Sequence, residues 1–331
     1  MTWLVWRQHR IEAALTAGLL ALLGACLVAA DAAMASAAKQ VGLGNCLAHY
    51  TSASCGWKVS QFIQSLLSLT LTGSVMGLKA LPALAGVFLG APLVAREVER
   101  GTHRLAWTQS ITRSGWLAGH MVSVLGIVLV ASATTQLALN WFLSPLLDAG
   151  DLIGSSVARF GALMFDAIGI VPVAYTLFAV ALGTTCGALT RRTLGAMVLV
   201  LVMFVCLRVS VALVARPHYQ PVVTGTATTT HTPGSEPVGL HMPTGSWVLD
   251  VSYDQGDGRH GNFPMCSTQP APVGPGSGTS SAMPGCVDRY TVTYQPGDRF
   301  WPFQLIESGI YLGLTVLLLG ATWLLVLRRG A

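Results

Sequence analysis

The chain has 331 residues, 52% of them hydrophobic and only 10% charged, with a net charge of +5 and a mean hydropathy of +0.59. Soluble domains carry about 25% charged residues. So few charges cannot clothe a water-soluble surface of this size, which excludes an ordinary soluble protein and predicts a polytopic membrane protein.

Six runs are long and apolar enough to span a bilayer, which takes roughly 20 residues each. They lie near 11–30, 79–95, 115–143, 168–190, 194–215 and 304–327. The first follows Arg7 and Arg10 and precedes Ala35-Ser36-Ala37, which looks like a cleavage site. It exceeds the roughly 7–15 residues of a signal-peptide core, so it reads as a retained span. Residues 31–60 form a first loop. The stretch 58–72 is apolar again, and one helix through to Val94 would overshoot the bilayer. Gly73, Gly77 and Pro82 offer break points. The expectation is an amphipathic interfacial helix over 58–72, then a span from Lys79, whose ammonium snorkels to the headgroups. In the fourth run Pro172, with Gly169 and Gly183, is a candidate kink.

Arg208 lies inside the fifth run, about 14 residues and so roughly 21 Å from its start. An intramembrane arginine is costly and is normally paired or snorkelling. Asp166 before the fourth run and Glu307 early in the sixth are its candidate partners. A structural charge pair among Asp166, Arg208 and Glu307 is the expected arrangement. Outward snorkelling and a role in substrate passage are the other readings.

Residues 216–303 differ in kind. They hold a Thr-rich tract at 224–232 and a Gly/Ser/Pro-rich tract at 271–285. Between these, 247–253 and 290–294 alternate as strands do. A small β-containing domain with disordered tracts is predicted between spans five and six. The chain thus divides into a membrane portion 1–215, an extracellular domain 216–303, and a last span with its tail over 304–331. His218, His231, His241 and His260 share the extracellular domain with two cysteines, but their irregular spacing in turn-rich sequence favours solvated loop histidines over a metal site. No P-loop, His-Glu-x-x-His or Gly-x-Ser-x-Gly occurs. No catalytic, cofactor-binding or metal residue is expected in this chain.

Lys and Arg in short loops orient the spans. With the N-terminus inside, the cytoplasmic side holds Arg7, Arg10, Arg96, Arg100, Arg104, Arg113, Arg191, Arg192, Arg328 and Arg329, against Lys39, Lys58 and Arg159 outside. Both termini are therefore expected in the cytoplasm, with the chain in the plasma membrane. Cys26, Cys186 and Cys206 fall inside spans as apolar packing residues. Cys46 with Cys55, and Cys266 with Cys286, fall in outer loops and suggest two local disulfides in an oxidising compartment. Four cysteines allow three connectivities, of which local pairing is the preferred one.

Residues 92–120 form a charged island between two apolar runs. Arg96-Glu97-Val98-Glu99-Arg100 mixes signs, whereas a topology signal needs only positive charge. Gly101-Thr102 suits a helix end. Leu105, Trp107, Ile111, Trp116 and Leu117 then supply apolar anchors. A short amphipathic helix with aromatic anchors suits docking into a partner's groove. A solvated basic loop is the plainer reading.

The run Arg96-Glu97-x-Glu99-x-Gly101-Thr102-x-x-Leu105-x-x-Thr108-x-Ser110-Ile111-Thr112-Arg113 resembles the loop after the second span of ABC-2 type transporter permeases. It departs at Gln109, where a proline is common, and at His120, where a lysine is common. The start, Trp3-Leu4-Val5-Trp6-Arg7-Gln8-His9-Arg10, is similar to permeases of high-GC actinobacteria. The resemblance implies an all-α fold of six transmembrane helices with an N-terminal interfacial elbow helix. It makes 96–113 the segment that contacts a separate ABC ATPase subunit. The residues that match or flank this motif are Arg96, Glu97, Glu99, Arg100, Gly101, Thr102, Leu105, Trp107, Thr108 and Arg113. It implies a second permease copy or homologue, and ATP and Mg bound by the partner ATPase rather than by this chain. The function expected is export of an amphipathic or hydrophobic compound, with no nucleic-acid partner. The alternative is a sensory or scaffold membrane protein whose extracellular domain binds a ligand without transport.

Overall fold

A computed structural model describes residues 69–100, 113–153, 158–161, 164–231, 244–254, 260–261 and 286–329, besides Ser36, Lys39 and Gly42. The predicted first span, the elbow helix and most of the interfacial stretch 58–72 lie outside these residues.

Helix α1 (Leu69–Ala85) passes through a π-helical turn at Gly86–Gly90 into α2 (Ala91–Arg100). The flanking Ala85 and Ala91 stay right-handed helical, so the three pieces form one rod. The expected break at Gly73, Gly77 or Pro82 does not occur: the helix is continuous from Leu69 onward and carries Pro82 buried in its interior. Helix α3 runs from Arg113 to Ile153. Helix α4 (Val171–Thr190) begins with Pro172 at its first turn, where a missing N–H costs nothing, so Pro172 starts the helix rather than kinking it. Arg191 closes it in the left-handed conformation (φ 55°), donating its N–H to the Gly187 carbonyl at 3.1 Å. Arg192 is extended and precedes α5 (Thr193–Ser210). A π turn at Val211–Ala215 and a 3-10 turn at Arg216–His218 then extend α5 past its expected end. Helix α6 spans Phe300–Arg329.

Among the described residues five segments are long and apolar enough to cross a membrane: Val75–Arg96, Met121–Ser144, Val171–Thr190, Thr193–His218 and Gly297–Val326. Helix α4 is their hub. It is 72% buried, against 17% for the segments of α3, α5 and α6. Lipid-facing and packed helices are equally apolar, so small residues rather than hydrophobicity decide which backbones approach closely. A Cβ on Gly183 would stand 2.5 Å from the Gly86 carbonyl oxygen, and one on Gly86 would stand 2.6 Å from that of Ala179. The α1–α2 rod and α4 thus meet backbone to backbone through the π turn.

Four antiparallel strands form one sheet in the order β1-β4-β2-β3: β1 Val223–His231, β2 Trp247–Asp254, β3 His260–Gly261 and β4 Cys286–Gln295. The predicted alternating segments are the cores of β2 and β4. The Thr-rich tract, expected to be irregular, is β1. Its β-branched residues suit a pleated surface, and Val223 to His231 pair with Tyr294 to Cys286 along its whole length. The sheet stands where α5 ends and α6 begins. Trp247 stacks on Phe160 at 5.9 Å, and Phe160 packs in turn on Phe165, Phe300 and Phe303. Arg159 grips Asp151 at the end of α3 through its side chain and its N–H (2.8 Å), and Asp151 accepts from Gly245 N at 2.8 Å. These contacts fasten the sheet to the bundle.

Candidate functional site

At the sheet end, charged side chains from four elements converge. The linker into α4 is placed first. Gln304 of α6, fully buried, accepts from the N–H groups of Ile170 (3.1 Å) and Val171 (3.0 Å) and donates to the Phe165 carbonyl (3.1 Å). Asn140 of α3 accepts from Gly169 N at 3.1 Å. A side chain from another helix thereby satisfies donors that open a helix without partners of their own. Gly169 turns the linker at φ +80°, and a Cβ there would meet Gln304 Oε1 at 2.6 Å.

This linker presents Asp166. Its Oδ2 lies 3.1 Å from Arg208 Nη2 and 3.9 Å from Lys79 Nζ, and its Oδ1 lies 2.6 Å from Arg216 Nη2. Burial opposes ionisation of Asp166, but Arg208, Arg216 and Lys79 outweigh it and hold the carboxyl below its ordinary range. Glu307 binds Arg216 by two bonds, Nε to Oε2 at 2.9 Å and Nη2 to Oε1 at 2.8 Å. That paired-fork geometry is the strong form of an arginine–carboxylate contact. Tyr175 of α4 donates to Glu307 Oε1, and Tyr219 reaches Oε2 at 3.5 Å. The Arg208 guanidinium covers the Tyr175 ring at 3.6 Å, and that of Arg216 covers Phe165 at 4.3 Å.

Of the predicted triad, Arg208 meets Asp166, whereas Glu307 belongs to Arg216. Lys79 joins them: its side chain is 16% exposed and turned to Asp166. Arg216 is easily passed over in the sequence because it falls just past an apolar run ending at Ala215. The signal was there: Arg208 and Arg216 are eight apart, close to two helical turns, so they share a face if the helix continues. Tyr175, Tyr219 and Tyr311 carried no signal of their own.

The charged island lies at the opposite end. Arg96 and Glu99 are exposed on α2. Glu99 Oε2 accepts from Thr193 Oγ1 at 2.6 Å and Thr193 N at 3.3 Å, so it caps the start of α5 from a neighbouring helix. Glu97 and Arg100 belong to α2 and Arg113 opens α3, with side chains outside the described residues. Gly101, Thr102, Leu105, Trp107 and Thr108 lie outside them altogether, as do Cys46, Cys55 and Cys266. Cys286 opens β4 opposite His231. Cys186 is a free buried thiol in the core around α4, and Cys206 is free and exposed. His218 Nδ1 lies 2.8 Å from the Val214 carbonyl, back along the same turn.

Apolar helices packed around a central one, with charge buried at one end, define a multi-pass helical membrane protein. Residues 17–216 match the family described as ABC-2 membrane transporter related, and the chain belongs to that family. ABC-2 permeases are the membrane subunits of transporters. No curated protein and no solved structure matches the chain.

Proposed function

We propose that this chain is the permease subunit of an ABC exporter, with six spans and both termini in the cytoplasm. A separate ATPase subunit docks on residues 96–113 and supplies ATP hydrolysis. Two permease subunits, identical or homologous, enclose the path. The cargo is amphipathic or hydrophobic, since apolar walls dominate the spans. The elbow helix lies at the cytoplasmic interface, and Cys46–Cys55 and Cys266–Cys286 are outer disulfides.

The family match over 17–216 carries this reading. The Glu99 cap on Thr193 supports the coupling half of it, because it joins the island directly to α5. Helix α5 leads to Arg208 and Arg216 at the far end. A docked ATPase that shifts α2 therefore pulls on a helix whose other end is held in the charge cluster. Two-state motion of packed helices is the usual form of such switching.

The test is ATP hydrolysis by the chain co-expressed with an ABC ATPase subunit and reconstituted in bilayer discs. The expected result is a stable complex whose hydrolysis is stimulated by amphipathic compounds. Failure of the ATPase to associate, with the chain well folded, would favour a sensory or scaffold protein.

A further inference from the structure

Three buried polar atoms around the charge cluster make no hydrogen bond among the described residues: Arg208 Nη1, Tyr311 Oη and Ser308 Oγ. Tyr311 is fully buried and Ser308 is 6% exposed. Arg208 and Tyr311 both pack on Tyr175, the guanidinium 3.6 Å from its ring and the Tyr311 ring 4.7 Å away. Ser308 lies one turn before Tyr311 on the same face of α6. All three can donate, and a buried donor without an acceptor forfeits its hydration with nothing in return.

Burial is uneven across the cluster. Glu307 and Arg216 keep 1% and 8% of their side-chain exposure, whereas Asp166, Arg208 and Lys79 keep 13%, 15% and 16%. Asp166 occupies only Nη2 of Arg208, so the second nitrogen is left to another acceptor. Near Lys79 and Arg208 along their own helices, Met76 on α1 and Val205 and Val209 on α5 are about half exposed, at 51%, 47% and 49%. A cation and two hydroxyls with unfilled donors, together with exposed apolar side chains on α1 and α5, suit a molecule with an anionic head and a hydrocarbon tail.

We propose that Arg208, Tyr311 and Ser308 form a binding site for the anionic head, a carboxylate or phosphate diester, of an amphipathic molecule. The head accepts from Arg208 Nη1 and the two hydroxyls, and its tail lies along α1 and α5. The site needs no transport, so it stands apart from the ATPase reading and is measured on this chain alone.

The full chain, purified in dodecyl maltoside, is titrated with palmitate and, separately, with phosphatidylglycerol, and bound ligand is counted by native mass spectrometry. Tyr311→Phe combined with Ser308→Ala removes two hydroxyls that make no hydrogen bond among the described residues. It should leave thermal stability unchanged and weaken binding at least tenfold. Arg208→Gln should abolish saturable binding. Binding of phosphatidylglycerol identifies a resident bilayer lipid, and binding of palmitate alone identifies a soluble amphiphile. Equal binding to wild type and to the hydroxyl-deleted variant, or no saturable binding of either probe to wild type, overturns the proposal.

Discussion

The two ends of the bundle handle charge in opposite ways. At the sheet end, Arg216 and Glu307 are 8% and 1% exposed, and each has several partners. At the other end, Arg96, Glu99, Arg191 and Arg192 are exposed, and Glu99 caps the start of α5 at Thr193. Buried charges exist only with partners, so the sheet end is committed to holding its own helices together. Exposed charges gain little from one another, so this end holds the helices together less tightly, and it is where the proposed ATPase contact falls. The α4 hub, in backbone contact with the α1–α2 rod, ties the two together.

The comparison breaks most visibly at Arg216. Arg216→Ala leaves Glu307 buried without its fork and Asp166 short of a partner. A loss on the order of 3–5 kcal/mol is expected, read as a fall in thermal stability in detergent. Gly183→Leu attacks the connection between the ends, since its side chain would enter the Gly86 carbonyl. Overpacking of this kind costs about 1–3 kcal/mol by the same measurement. Arg208→Ala should cost less than Arg216→Ala, about 2 kcal/mol, because Arg208 meets one carboxylate and is partly exposed. Adding Asp166→Asn should recover little, since Asp166 also serves Arg216 and Lys79. Loss of transport at full stability would instead place Arg208 in the substrate path.

Acid sharpens the same contrast. Asp166 titrates below its ordinary value of 3.8 in the folded chain. Its contribution is fully present above that value and is lost as pH falls through the lower folded one, because the unfolded chain binds the proton first. Asp166→Asn should therefore flatten the acid limb of a stability–pH curve. At the exposed end the effect is smallest: Glu99→Gln weakens one helix cap, worth less than about 1 kcal/mol in thermal unfolding.

Much of this was legible in the chain. Long apolar runs mark α3 to α6 because a bilayer demands them, and alternation marks β2 and β4 because one sheet face packs. An arginine in an apolar run demands an acid, and Asp166 and Glu307 both lie in the cluster. What stayed hidden depends on partners distant in sequence. The Thr-rich tract looks irregular until β4 is laid beside it. Pro82 and Gly73 look like breaks because local propensity ignores the packing that carries α1 through. Arg216 looks like a loop residue because the turns at Val211–His218 that keep it in the helix have no compositional mark. The role of Glu99 as a cap on α5 requires knowing that α2 and α5 are neighbours.

One pair of variants tests the division of labour directly, each measured for melting temperature and for retention of the ATPase subunit through purification. Arg216→Ala alters the buried end and Glu97→Lys the exposed one. The account predicts that Arg216→Ala lowers the melting temperature, whereas Glu97→Lys leaves it unchanged and loses the ATPase. Retention of the ATPase at wild-type stoichiometry by Glu97→Lys would contradict it.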